Sequence, residues 1–177
     1  MKSRRSLLVV AALAALAASA LVIAPAVAQQ APKNAKLRIL GGVTVKPGKF
    51  VKDNQRFAPM RRAVRSGGTV RIINRSKAPD PHTISFVRRS QMPKTAQEVF
   101  QCEACGPFFG AHEANEETGE VGKPVVDVGQ PGVDQAGDSI FIPPGEGVRF
   151  DVSAARGKTL NYLCAIHPWM QGRLRVR

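Results

Sequence analysis

Apolar and polar residues alternate along several short segments between residues 37 and 176. In one of these segments His82, Ile84 and Phe86 share a face, and residues 148–152 alternate in the same way. A period of two is typical of a strand with one buried face, because successive side chains point to opposite sides of a sheet. Gly, Pro, Asp and Asn separate the segments. The pattern predicts about eight short strands, little helix and an all-β sandwich.

The alternation stops over residues 88–138, which we interpret as an insertion in a single domain spanning residues 29–177. Thr95–Glu103 has the composition of a short helix, and from Gly119 the chain turns to Gly, Pro and acidic residues, which is typical of a loop. Seven acidic residues lie between Glu113 and Asp138, against one lysine, Lys123. The inserted segment therefore differs from the strands in both pattern and charge.

Residues 1–28 have the pattern of an export signal. Basic residues precede an apolar run over residues 7–24, and Ala26-Val27-Ala28 offers a small-x-small cleavage site. We expect cleavage there, by the Sec route or, since Ser3–Leu8 resembles a twin-arginine signal, by that route. An uncleaved membrane anchor is the alternative, because the apolar run approaches the length of a bilayer span. Either way the protein is predicted to work outside the cytoplasm, in the periplasm or cell envelope or as a secreted protein.

The chain is strongly basic, with a formal net charge of +13. Removing the three basic residues of the export segment leaves 23 basic and 13 acidic residues, a net charge of +10. Such a surface favours anionic partners, either an acidic redox protein or an anionic envelope surface contacted peripherally. A solvated basic surface without a dedicated partner is the alternative. Nucleic acid is not expected as a partner, because aromatic and basic residues do not interleave.

Candidate metal ligands are concentrated near the end of the chain. Cys164, His167 and Met170 follow one another at intervals of three residues, between two segments that alternate as strands do. In such a short loop their side chains can converge on one point. A thiolate, an imidazole and a weak thioether suit copper in a trigonal site with two histidines, one cysteine and a distant axial methionine. The second imidazole is assigned to His82, which projects inward at the start of its strand.

These motifs resemble the type 1 (blue) copper site of the cupredoxins. Pro-His-Thr-Ile, followed much later by Tyr-x-Cys-x-x-His-Pro-x-Met-x-Gly, is most similar to the plastocyanin and amicyanin pattern. The resemblance covers roughly residues 37–86 and 139–176. It implies a Greek-key β-sandwich or barrel that binds one type 1 copper ion. The ligands implied are His82, Cys164, His167 and Met170.

Three further residues acquire roles from this resemblance. Pro81 offers a carbonyl without an N–H and stiffens the approach to the first ligand, and in the family this carbonyl lies near the other axial side of the copper. Thr83, where plastocyanin-like proteins often carry Asn, is expected to stabilise the ligand loop by hydrogen bonding. His167 would be the electron's gateway. Trp169 either forms part of the apolar patch around it or is a packing residue.

The implied function is one-electron transfer between redox partner proteins by a copper protein that we expect to be a monomer. A copper-handling protein without a dedicated redox partner is the alternative. An enzyme is not expected, because multicopper oxidases and copper nitrite reductases need further histidine ligands, and after His82 and His167 only His112 remains in the chain.

Cys102 and Cys105 lie in the insertion, away from the family pattern. A haem-attachment motif would continue with His, and Gly106 stands there instead. Two interpretations stay open. The pair forms a disulfide, which persists in an oxidising compartment, or it joins His112 in a second metal site for zinc or copper(I).

Overall fold

The computed structural model describes residues 31–115 and 117–177, and the predicted export segment lies outside them. The described residues form twelve strands, two short helices and one 3₁₀ turn. The predicted all-β sandwich is confirmed, while the predicted number of strands is too low. The additional strands have only two to four residues, too few to show an alternating pattern. No helix in the described part of the chain is long and apolar enough to cross a membrane.

One sheet contains four strands. They are β1 (Asn34–Leu40), β4 (Arg56–Ala58), β6 (Gly68–Asn74) and β10 (Gly147–Val152), with β2 (Val43–Lys46) and β3 (Phe50–Asp53) forming a separate hairpin. The order across the sheet is β10, β6, β1, β4. Strands β1 and β6 pair in parallel, and the other pairs are antiparallel. In β1 the alternation places Ala35, Leu37 and Ile39 in the core.

The second sheet contains six strands and carries the predicted ligands. They are β5 (Arg61–Val64), β7 (His82–Val87), β8 (Val125–Val126), β9 (Ser139–Ile142), β11 (Thr159–Leu163) and β12 (Gln171–Val176). The order is β5, β12, β11, β7, β9, β8. Because β7 and β11 are antiparallel neighbours, the start of the His82 strand is next to the end of the strand that leads to Cys164.

The core between the sheets is built around aromatic rings in edge-to-face contact. The Tyr162 ring lies 5.0 Å from that of Phe57 and 5.9 Å from that of Phe86, measured between centroids. Such pairs contribute about 0.5–1.5 kcal/mol beyond the area they bury. Gly172 is required where β12 crosses this cluster, because a Cβ there would lie 2.4 Å from the Tyr162 ring. The Met-x-Gly motif thus serves the core as well as the loop.

The insertion contains the 3₁₀ turn Arg89–Gln91, helix α1 (Ala96–Phe100), helix α2 (Gly106–Ala111) and β8. The predicted helix over residues 95–103 is therefore confirmed in a shorter form. Thr95 caps α1, because its Oγ1 accepts a hydrogen bond of 3.1 Å from the Glu98 N–H. The acidic loop is ordered by Asp138, which is 1% exposed and whose carboxylate accepts backbone N–H groups from Val128, Asp134 and Gln135.

Helix α2 covers the outer face of the second sheet. Phe108 and Cys105 pack with Val87, Leu163 and Ala165 in a small apolar cluster separate from the main core. As a result all six residues of β7 are buried, those facing the insertion as well as those facing the core. The insertion is therefore a second layer over the sheet, and it lies directly behind the ligand loop.

Candidate metal centre

The topology brings three of the predicted ligands together. His82 is the first residue of β7, Cys164 directly follows β11, and His167 lies in the loop that joins β11 to β12. The Cys164 sulfur is 3.7 Å from His82 Nδ1 and 3.8 Å from His167 Nδ1. Their possible ligand atoms all lie within 4.8 Å of one another, the one such group among the described residues.

These separations fit one metal ion. Two ligands of a trigonal ion, with bonds of about 2.0 Å to nitrogen and 2.3 Å to sulfur, lie about 3.7 Å apart. His82 and Cys164 are fully buried, and 12% of the His167 side chain is exposed. A buried thiol between two imidazoles is the donor set that suits copper. The site therefore fits the single copper ion that the sequence predicts.

The ligand loop is closed by its own backbone. The Cys164 N–H donates to the Met170 carbonyl at 3.0 Å, and the Met170 N–H donates to the His167 carbonyl at 2.8 Å. Met170 is 1% exposed and packs in the main core with Cys164. The backbone thus fixes the spacing of the three loop residues. The axial role of Met170 stays a prediction.

Thr83 contacts the loop at two points. Its backbone N–H donates to the Cys164 sulfur at 3.3 Å, and its Oγ1 accepts a 2.8 Å hydrogen bond from the Ala165 N–H. Burial raises the pKa of the Cys164 thiol, and hydrogen bonds from backbone N–H groups, that of Thr83 first, act in the opposite direction. A coordinated metal cation would keep this buried sulfur deprotonated. The position of Thr83 is the one that a residue stabilising the loop requires.

Both histidines are held in the neutral form that binds metals. Burial, followed by the neighbouring His167, lowers the pKa of His82 to about 4, and Asp80 and Asp53 offset only part of this effect. Burial also lowers the pKa of His167, against the same two carboxylates. Neutral imidazoles have a free ring nitrogen for a metal ion at pH 7 without prior loss of a proton.

The exposed end of the site is formed by His167 and Trp169. Their ring centroids lie 5.1 Å apart in an edge-to-face arrangement, and Trp169 is 42% exposed. Trp169 is therefore at the surface beside the predicted gateway rather than in the core. Pro81 precedes β7 and is partly buried. Its predicted stiffening role remains a prediction.

Sequence reasoning missed the polar residues around this end. Asp80 Oδ2 lies 4.0 Å from His167 Nε2 and accepts a 3.0 Å hydrogen bond from the Gln55 amide. Gln55 is 2% exposed and also binds Asp53. The position of Asp80, two residues before His82, was the available signal. The position of Gln55 depends on a distant strand and leaves no local signal.

Cys102 and Cys105 are joined in a disulfide. His112 lies elsewhere in the insertion, with Nδ1 2.6 Å from the Lys123 carbonyl and Nε2 2.8 Å from Ser139 Oγ. Both sulfurs and both ring nitrogens already have partners. The structure therefore does not assemble the second metal site that was one of the two interpretations.

No family model and no curated protein sequence matches the chain. Solved structures are similar to it at low sequence identity. A purple cupredoxin from Nitrosopumilus maritimus is 15% identical, with a TM-score of 0.43 over 81% of this chain and 99% of that one. Auracyanin B is 14% identical, with a TM-score of 0.44 over 84% and 91%. A reduced Cu(I) amicyanin variant is 16% identical, with a TM-score of 0.39 over 79% and 82%.

At these identities the assignment depends on the chain's own topology and site. Two packed sheets hold a buried cysteine and two histidines at one end, with the cysteine and one histidine in a short loop between the last two strands. A β-sandwich with this donor set at one end is the arrangement that the resemblance of the sequence motifs to cupredoxins implies.

Proposed function

We propose that this protein is an exported type 1 copper protein that carries single electrons between redox partners. The observation that carries the proposal is the placement of two Nδ1 atoms at 3.7 and 3.8 Å from one buried sulfur. Copper in such a set supplies a one-electron couple, because copper(II) and copper(I) both accept it. We propose no catalytic role, because multicopper oxidases and copper nitrite reductases need further histidine ligands and the chain has only His112 besides His82 and His167.

The protein's contribution is to hold the donors still. Hydrogen bonds from Cys164 and Met170 close the loop, and Thr83 connects it to β7. Ligands that keep their positions between the two oxidation states lower the cost of electron transfer. His167 is the partly exposed member of the group and lies against Trp169. We propose that electrons enter and leave there.

The proposed partner is an acidic redox protein. Four arginines surround a cavity of about 270 Å³ on β5 and β12, namely Arg61, Arg62, Arg173 and Arg175. The nearby cations, Arg61 first, lower the pKa of Arg173. None of these four forms an ion pair within the described residues. On β12 the cluster begins at Arg173, three residues beyond Met170 at the end of the ligand loop. There it can attract carboxylates toward the copper end.

Paired variants test this surface. Arg61→Gln combined with Arg173→Gln should slow reduction by an anionic one-electron donor and weaken the dependence of its rate on salt. Lys36→Gln combined with Arg38→Gln removes two exposed charges from the other sheet and serves as the matched control. Equal rates and salt dependences for the two double variants would contradict a docking role for the cluster.

Electron transfer and copper handling predict opposite kinetics. A carrier exchanges electrons rapidly between its oxidised and reduced forms and releases copper slowly, because two of its ligands are fully buried. Self-exchange and copper release to a chelator should therefore be measured on one preparation. Slow exchange together with rapid release would overturn the proposal in favour of copper handling.

Export belongs to the same proposal. The Cys102–Cys105 disulfide supports an oxidising compartment. Mass spectrometry of protein from the native host should find a mature chain that begins at Gln29. A chain that retains residues 1–28 in a membrane fraction would favour the anchor instead.

A further inference from the structure

A chain of buried polar side chains connects the insertion to the ligand loop. His112 Nε2 is 2.8 Å from Ser139 Oγ, which is 2.7 Å from Ser85 Oγ, which is 2.8 Å from Thr83 Oγ1. Thr83 Oγ1 in turn accepts the Ala165 N–H. None of the four side chains is more than 3% exposed. Unbroken polar contacts of this kind are the ones that transmit orientation through a protein interior.

The sheet register creates this chain. Ser85 and Ser139 are directly paired residues of β7 and β9. Thr83 and Ser85 lie on the same face of β7, since they are two residues apart, and this is the face that the insertion covers. His112 lies over β9, with its ring 6.5 Å from that of Phe141. The register therefore makes Ser139, Ser85 and Thr83 neighbours on one face of the sheet.

At the His112 end of this row of hydrogen-bonded side chains, Lys123 determines which ring nitrogen of His112 carries the proton. The Lys123 N–H donates to the His112 carbonyl, and His112 Nδ1 lies 2.6 Å from the Lys123 carbonyl. A carbonyl only accepts, so Nδ1 must carry the hydrogen. Burial lowers the pKa of His112, and the charge of Lys123 adds to this effect although the Lys123 carbonyl opposes it. The ring is then neutral and Nε2 is an acceptor.

An acceptor at Nε2 sets the direction of every hydroxyl. Ser139 donates its only hydrogen to His112, Ser85 donates to Ser139, and Thr83 donates to Ser85. The Thr83 hydroxyl hydrogen is thus directed away from the Cys164 sulfur. The sulfur retains the backbone N–H of Thr83 as a donor. Without an acceptor at the His112 position, the hydroxyls are free to reverse.

We propose that His112 is a positioning residue for the metal centre: through Ser139 and Ser85 it orients the Thr83 hydroxyl and limits hydrogen bonding to the Cys164 sulfur. The effect on copper rests on the function proposed above, whereas the effect on Thr83 and Ala165 belongs to the protein alone. Hydrogen bonds around the cysteine sulfur tune the potential of such sites. Donors stabilise the more electron-rich reduced form, so reversal should raise the potential.

The first test uses metal-free protein. In Ser139→Ala and in His112→Phe, the Ala165 amide should shift in the NMR spectrum and exchange its hydrogen several-fold faster, because its acceptor loses a fixed orientation. His112→Gln keeps an acceptor at the end of the chain and should restore the native values. Ser66→Ala is the control. It removes a 2.8 Å hydrogen bond to the Ala154 carbonyl, which is not part of the row of side chains from His112 to Thr83. An unmoved Ala165 amide in both Ser139→Ala and His112→Phe would overturn the proposal.

The second test measures the reduction potential of the same variants with copper bound. Ser139→Ala and His112→Phe should raise it, while His112→Gln and Ser66→Ala should leave it near the native value. A purely structural role would lower stability in these variants without moving the potential, and that result would overturn the tuning role. If neither the native protein nor any variant binds copper, the proposed function is contradicted. The Ala165 amide of the metal-free protein would still show whether His112 orients Thr83.

Discussion

The ligand loop, residues 164–170, and the insertion, residues 88–138, use similar residue types for different purposes. In each, two side chains with affinity for metals are three positions apart: Cys164 and His167 in the loop, Cys102 and Cys105 in the insertion. The first pair leaves a buried thiol beside two imidazoles, and the second closes in a disulfide. The chemistry of a cysteine is therefore decided by what the fold places within reach of its sulfur.

The histidines show the same contrast. His82 and His167 direct Nδ1 toward a sulfur, whereas both ring nitrogens of His112 are engaged by oxygen atoms. A histidine with one free nitrogen near other donors is available to a metal, and a histidine with two hydrogen-bond partners supports structure. The two regions nevertheless meet, because the chain that starts at His112 ends at Ala165 in the loop.

The largest expected effect comes from the free cysteine. Cys164→Ser should abolish the intense visible absorption of the copper-loaded protein, because that band requires a thiolate bonded to copper(II). Absorption titration with copper checks this result. The double variant Cys102→Ala and Cys105→Ala is the matched control and should keep the band. A serine variant as coloured as the parent would show that the sulfur is not a ligand.

The second largest effect is expected from acid, which should lower the stability of the metal-free protein through its ligand histidines. The pKa of His82 is lowered from 6.5 to about 4 in the folded state, so the unfolded chain binds more protons between these values. Stability of the metal-free protein should therefore be complete above pH 6.5 and fall as the pH drops toward 4. Urea unfolding at several pH values measures this loss.

The copper-loaded protein is the control for the acid experiment, because a bound metal keeps the imidazoles deprotonated and shifts the loss to lower pH. His112→Gln should still lose most of this stability at acid pH, because the other two of the three histidines lie at the ligand end. Metal-free protein with equal stability at pH 6.5 and pH 4.5 would contradict the account of these sites.

Removing the disulfide should have a moderate effect. The bond closes a ring of only four residues, for which the chain-entropy model gives about 2 kcal/mol of stabilisation. Urea unfolding of the Cys102→Ala and Cys105→Ala double variant checks this value. Thiol counting on denatured, unreduced, metal-free protein should find one free thiol per chain, and a count of three would mean that the bond does not form.

Met170→Leu should have the smallest effect on the fold. A volume-conserving change at a buried site costs less than about 1.5 kcal/mol. If the thioether is the weak axial ligand, the variant keeps its colour while its reduction potential changes. Voltammetry and absorption on one sample provide both values. Complete loss of copper would assign Met170 a holding role instead.

Alternation predicted the strands and the inward direction of His82, because one face of each strand is buried and the period of two is local. It also placed Cys164 and His167 in one loop. The contacts of Thr83 with that loop could be anticipated from the resemblance alone, since they join segments 82 residues apart.

The remainder depends on how the insertion covers the sheet. A half-buried strand was expected at β7, whereas all six of its residues are buried. In a half-buried strand Ser85 would lie on the exposed face, and its contacts with Ser139 and His112 require knowledge of the register and of the second layer. The parallel pairing of β1 with β6 in the other sheet could not be predicted for a different reason, because it joins segments that no local pattern connects.

The central claim is that one copper ion binds between Cys164 and two histidines. The most direct test is the visible spectrum of the native protein during titration with copper(II). We predict an intense thiolate-to-copper band that saturates at one copper per chain, while the Cys164 thiol becomes unreactive. Weak absorption typical of nitrogen and oxygen ligands alone, with a thiol that still reacts, would contradict the account.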